Sequence, residues 1–181
     1  MLLFETLLSE ESKTEKAIHI YKNYYSYMIY IAGRYLRDSS ECEDAAQECM
    51  LKLISIIDSI DTNDEARLKG LCGVVTRNTA LNICKRSERG NVSLEAVFNV
   101  IDNAPDPESI VISNESLRAL VNAVERLNPI YRDVLKLKYF NQLKEREIAK
   151  LLDLPPKTVN QRIFRGKTIL RNAIKEEGLN G

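Results

Sequence analysis

The chain has 181 residues, 44% of them hydrophobic and 29% charged, and its 26 basic and 26 acidic side chains leave no net charge. That balance is too apolar and too evenly charged for a disordered chain, and no run of about 18 uncharged apolar residues is present to cross a membrane. The length allows one domain or two small ones.

Residues 1–8 are mostly apolar, interrupted by Glu5. No basic stretch precedes them and no small-residue cleavage site follows, so a secretory leader is not expected and a cytoplasmic location is. Apolar residues recur at three- and four-residue spacing with no strict alternation, which predicts an all-α fold. A first helix is predicted over about residues 14–37, with Ile18, Tyr21, Tyr25, Met28, Ile29, Ala32 and Tyr35/Leu36 on its apolar face. Ser40-x-x-Glu43 reads as a capping box that opens a second helix, whose inner face is Ala46, Cys49, Met50, Leu53 and Ile57. Residues 58–64, rich in Asp, Ser and Asn, read as a loop. A third helix, over about residues 65–89, buries Leu68, Leu71, Cys72, Val75 and Thr79 and ends in a basic tail.

The texture then changes. The segment 91–113 is acidic and carries Pro105 and Pro107, which a helix interior does not tolerate; at this length it reads as a tether. Helical spacing resumes at Leu117, Leu120, Val121, Val124 and Leu127, stops at Asn128-Pro129, and restarts at Val134 and Leu135. Two further helices are expected over about residues 143–152 and 156–175. The expected architecture is a three-helix module (1–90), a flexible acidic linker (91–113) and a four-helix module (114–181).

The absence of net charge conceals a segregation of sign. Residues 156–175 hold six basic side chains and no acid, and residues 65–90 hold six against two acids. Residues 91–116 and 38–48 hold five acids each and no base. Local cationic faces of this kind meet phosphates, although a solvated helix face produces the same signal in any one segment. Cys42, Cys49, Cys72 and Cys84 lack Cys-x-x-Cys spacing and lie far in sequence from the only histidine, His19. They read as small buried residues, and no metal site, cofactor, catalytic residue or enzymatic activity is expected.

The strongest motif lies at residues 145–163. Ile148, Ala149 and Leu152 face inward on one short helix, Asp153-Leu154-Pro155 makes a turn, and Pro156 opens a second helix anchored by Val159 and Ile163. Small Ala149 allows a close crossing. Lys157, Thr158, Asn160, Gln161, Arg162, Arg165 and Lys167 are left to point outward. Asn, Gln and Arg pair with base edges in the major groove, while Lys and Thr suit phosphates, so the pattern reads as a DNA-binding helix-turn-helix. A merely structural hairpin would share the apolar pattern but has no reason to show only donors on its outer face.

Residues 18–175 as a whole resemble the extracytoplasmic-function (ECF) sigma factors, the two-domain class of bacterial sigma subunit. Residues 127–140 (LNPIYRDVLKLKYF), 147–152 (EIAKLL) and 157–162 (KTVNQR) are similar to that family's region four, and 44–53 (DAAQECMLKL), 75–78 (VTRN) and Lys85-Arg86 to its region two. Two departures stand out: Leu71 where the family usually has Trp, and Asn82 where it usually has Asp.

The resemblance implies core RNA polymerase and promoter DNA as partners, admits a cognate anti-sigma protein, and involves no membrane insertion. By the same implication, the outward residues of 157–167 read the −35 element. Asp61, Asn63, Arg77, Asn78, Asn82, Lys85 and Arg86 meet an opened −10 strand, with loop 58–64 pocketing a base swung out of the duplex. Asp44, Gln47, Glu48 and Leu51 fall at helical spacing and form an acidic patch with an apolar end, suited to a basic surface of the polymerase. Capping and dipole compensation explain Glu41 and Glu43 well but Asp44, Gln47 and Glu48 less well. The acidic tether matches nucleic acid in charge and suits a basic polymerase channel. The rival readings are a helix-turn-helix regulator that acts without polymerase and a sigma-like decoy that sequesters an anti-sigma protein. The donor face at 157–165 speaks against the decoy.

Overall fold

The computed structural model describes residues 2–87 and 115–176; the expected tether at 91–113 lies outside the described residues. Among the described residues there are seven α-helices and no strand. They form two compact units, one built on the helices of residues 2–87 and the other on most of residues 115–176.

In the first unit α1 (Leu2–Ala32), α2 (Ser39–Ile54) and α3 (Glu65–Ser87) all pack on one another. Helix α1 begins a dozen residues before the expected start near residue 14. Its buried stripe is Ile20, Tyr24, Met28 and Ile31, whereas Ile18 and Tyr21 are 46% and 54% exposed. The expected face was therefore rotated along its first half, although Met28, Ala32 and Leu36 are buried as expected. Two apolar stripes run side by side on this helix, and only the approach of α2 and α3 selects which is covered.

The cap of α2 lies two residues before the expected one. Asp38 is the N-cap, its carboxylate accepting from the Ser40 backbone N–H at 2.8 Å, and Ser40 lies inside the first turn with Glu43 exposed. An aspartate there both satisfies an orphan N–H and places negative charge at the positive end of the helix dipole. Cys42, Ala45, Ala46, Cys49, Met50 and Leu53 are buried, and the small residues let α1 and α3 come close. An ideal Cβ on Gly73 of α3 would lie 3.0 Å from Tyr27 Oη of α1, so glycine sets that approach. Lys52 ties α2 to α3 by donating to Thr79 Oγ1 at 3.0 Å while pairing with Glu48 at 2.9 Å.

Cys49 and Cys72 sit at the centre of this unit, and the Thr76 hydroxyl donates to Cys49 Sγ at 3.2 Å. Burial pushes the Cys49 thiol up to about 12 and the Cys72 thiol well above its usual value. The thiolate is the reactive form. Iodoacetamide at mildly alkaline pH is therefore expected to label half-buried Cys84 first, with Cys49 and Cys72 reacting only after unfolding. Equal labelling of Cys49 in folded and urea-unfolded protein would contradict this.

In the second unit, α4 (Glu115–Glu125) is followed by α5 (Pro129–Leu135), a π-helical turn (Lys136–Phe140), α6 (Glu145–Leu152) and α7 (Pro156–Glu176). The break at Asn128-Pro129 is a helix start: Asn128 Oδ1 accepts from the Ile130 N–H at 3.1 Å and Pro129 takes the first helical position, where its missing N–H costs nothing. Lys136 pairs with Glu125 at 2.6 Å, and Arg132 donates to the Glu125 carbonyl at 3.2 Å, so α5 is tied back onto α4. Helix α7 packs on α4 and α5. A close approach of α7 occurs at Gly166, where an added Cβ would lie 3.0 Å from Leu135 Cδ1 and 3.2 Å from Tyr131 Cβ.

Candidate nucleic-acid and partner interfaces

Helix α6 is short, and its N-terminal end is held by side chains. Glu147 accepts from the Lys144 N–H at 2.7 Å, half of a capping box, and Lys138 pairs with Glu145 at 2.7 Å and holds that carboxyl below its ordinary range. Ile148, Ala149, Leu151 and Leu152 are buried. The helix ends as Leu154 N–H donates to the Ala149 carbonyl at 3.0 Å with Asp153 at φ 53°, a left-handed position that Asp tolerates better than most residues. The chain then reverses into α7, where the Pro155 carbonyl accepts from the Thr158 and Val159 N–H groups.

Val159 is fully buried and anchors α7, and Ile163 is half-buried. Lys157, Asn160, Gln161, Arg165 and Lys167 are exposed as expected. Thr158 and Arg162 are half-buried instead, and Arg162 is already engaged within the protein. Both flank the Val159–Ile163–Gly166 stripe, so helical geometry turns them partly inward. Phe164, which the motif reading passed over, is 73% exposed and lines one shallow hollow with Lys157, Asn160, Gln161 and Arg165. Its signal in the sequence is an aromatic out of phase with Val159 and Ile163. Lys167 Nζ lies 5.9 Å from the centroid of the exposed Tyr139 ring, a cation–π distance.

On α2, Asp44 and Gln47 are exposed and Leu51 is 68% exposed. Glu48 is half-buried and occupied by Lys52, so Asp44 carries more of the free negative charge of this face. Ile54, three residues after Leu51, is 45% exposed and enlarges the apolar end; the sequence reading stopped short of it.

The −10 candidates are dispersed. Asp61 and Asn63 are exposed on the loop before α3, where Asp61 Oδ1 accepts from the Asn63 backbone N–H at 2.9 Å and from its side-chain amide at 3.2 Å. Along α3, Arg86 is exposed, and Arg77, Asn82 and Lys85 are half-buried. Asn78 departs from the expected strip: it is 8% exposed, and its amide donates to the Val74 carbonyl at 2.9 Å. It stands three residues after Val75 and seven after Leu71, on the buried stripe of the helix. Leu71, at the position expected to hold Trp, is 2% exposed and fills the core. Among the described residues no group of three His, Cys, Asp or Glu is placed to hold a metal, and no helix is long and apolar enough to cross a membrane.

Comparison with known proteins places names on both units. Residues 20–90 match the model of sigma-70 region 2, and residues 117–170 that of sigma-70 region 4. The ECF RNA polymerase sigma factor SigW of Bacillus subtilis is 29% identical over 167 residues, covering 88% of this chain and 87% of its own. The ECF RNA polymerase sigma-E factor of Escherichia coli K12 is 26% identical over 154 residues, covering 80% and 79%, and its counterpart in Salmonella typhimurium LT2 is similar to the same extent. With regions 2 and 4 in this order and nearly full-length similarity to such proteins, the chain belongs to the ECF sigma factors.

Proposed function

We propose that this protein is a transcription initiation factor that binds core RNA polymerase and directs it to promoters, with residues 1–90 holding polymerase and an opened −10 strand, 91–113 serving as tether, and 114–181 reading the −35 duplex. The observation that carries the reading is the outer face of α7, where Lys157, Asn160, Gln161 and Arg165 surround exposed Phe164 with no acid among them. Asn and Gln pair with adenine edges, Arg with guanine, and an aromatic edge packs on a thymine methyl. Lys157 and Lys167 suit the flanking phosphates, and half-buried Thr158 and Arg162 support the face from its inner side.

On the other unit, Asp44, Gln47, Glu48, Leu51 and Ile54 form the surface for a basic, partly apolar element of the polymerase. Arg77, Asn82, Lys85 and Arg86 follow the displaced strand, and the crest Asp61–Asn63 receives an unstacked base. Asn78 contributes through the packing of α3. The process is non-covalent and the chain is not an enzyme: unstacking a base costs a few kcal/mol, which contacts to the extruded base and strand offset. Two reading heads on one chain multiply their specificities, because binding of the first raises the effective concentration of the second. The site of action is the cytoplasm, where polymerase and genome meet.

The test is transcription in vitro with core polymerase and a genomic promoter library. Core enzyme with this protein is expected to initiate at a restricted set of promoters, and core alone at none of them. Equal transcription from a selected promoter and from the same promoter with a scrambled −35 element would refute the assignment of α7.

A further inference from the structure

The loop between α2 and α3 is short, polar at its crest and fixed at its base. Ile57 and Ile60 are buried, and a 3-10 turn over Ile57–Ser59 leads into the crest Asp61–Asn63, where Asp61 and Asn63 are exposed and Thr62 is half-buried. On the far side, Asp64 accepts from the Arg67 N–H at 3.0 Å and so caps the first turn of α3. On the near side the anchor comes from α1. Half-buried Lys16 sends its ammonium to the Ile60 carbonyl at 2.8 Å, and Lys13 pairs with Asp58 at 3.5 Å.

Ile60 immediately precedes the crest, and its backbone is already extended at φ −90°, ψ 123°, so its carbonyl has left the 3-10 turn. An ammonium is a strong donor for such a carbonyl, and a half-buried stem restricts where that donor can sit. We propose that Lys16 is a positioning residue for base capture: by holding the Ile60 carbonyl it keeps the crest Asp61–Asn63 in the one shape that receives an unstacked base. The proposal rests on the reading of this crest as a base pocket. Lys16 acts through Ile60 and does not touch the nucleic acid. Its contribution is preorganisation, since a crest that must be ordered at the moment of binding loses affinity to the entropy of ordering.

The experiment uses holoenzyme assembled from core polymerase and this protein, with single-stranded oligonucleotides that wild-type holoenzyme selects from a randomised pool. Each position of a selected oligonucleotide is made abasic in turn, and the captured base is the one whose removal weakens binding most. Lys16→Met keeps the aliphatic stem and removes the donor; Lys16→Arg keeps a donor. Lys16→Met is expected to shrink the abasic penalty about tenfold, the scale of one lost charge-assisted hydrogen bond. Affinity for the abasic oligonucleotide and for core polymerase should stay unchanged, the melting temperature should fall by no more than about a few degrees because the same bond also holds the free protein, and Lys16→Arg should restore most of the penalty. A full penalty in Lys16→Met overturns the positioning role and leaves the pocket standing. A wild-type holoenzyme with no abasic-sensitive position overturns the base-pocket reading and the role of Lys16 with it. A general loss of affinity that Lys16→Arg does not rescue marks Lys16 as a structural residue only and overturns the proposal.

Discussion

Asp44→Lys combined with Leu51→Ala is expected to abolish co-purification with core RNA polymerase while leaving the melting temperature within about a degree of wild type. Both side chains are exposed, Leu51 to 68%, and neither supports the packing of α1–α3. Surface substitutions of this kind typically change stability by less than about 0.5 kcal/mol. On the polymerase side the same pair removes an apolar anchor and sets a positive charge against a basic surface. Truncating a central anchor costs about 2–4 kcal/mol, or roughly 30-fold to several-hundred-fold in Kd, and like-charge contact adds to it. Glu48→Gln should do much less, because Glu48 is already paired with Lys52 at 2.9 Å. Loss of Lys52 packing against Thr79 would appear as lower stability, so a melting curve separates the two effects. Undiminished co-purification of the double variant would place the polymerase contact elsewhere on the unit.

Gln161→Ala with Arg165→Ala is expected to remove −35 reading and spare −10 reading. Each lost base contact costs about 1–3 kcal/mol, so the pair should weaken −35 duplex binding by at least roughly 30-fold. Cognate and scrambled −35 sequences should then support equal transcription, with any residual initiation coming from the −10 element alone. Lys167→Ala, by contrast, should weaken all sequences alike and lower the salt dependence by about one counterion. Arg162→Ala is expected to fall short of Arg165→Ala in promoter discrimination, since Arg162 is half-buried and already engaged. Retained discrimination in the Gln161/Arg165 double variant would show that the α7 face does not read bases.

The helices were legible because amphipathic spacing is a local property. Val159 had to face inward, and the buried set Leu68, Leu71, Cys72, Val75 and Thr79 on α3 follows from three- and four-residue spacing alone. The acid-free run after Pro156 was equally plain. Less legible were residues beside a buried stripe, where a rotation of a few tens of degrees decides exposure. Asn78 turned inward and Thr158 and Arg162 half inward, while Ile18, Tyr21, Phe164 and Ile54 turned outward against simple hydrophobicity. A polar side chain at the edge of a stripe can satisfy itself on its own helix, as Asn78 does on Val74, and composition gives no warning of that.

The amino-acid sequence by itself determined that the chain is all-helical, that charge is segregated along it, and that a donor-faced helix follows a turn at Asp153–Pro155, because periodicity, proline and charge act within a few residues. Only the tertiary structure decided which of two apolar stripes on α1 is covered, that Lys52 reaches Thr79 on α3, and that Lys16 reaches the carbonyl of Ile60. Those depend on how side chains are turned and on contacts between segments distant in sequence, and spacing along one helix carries no information about what another helix brings to it.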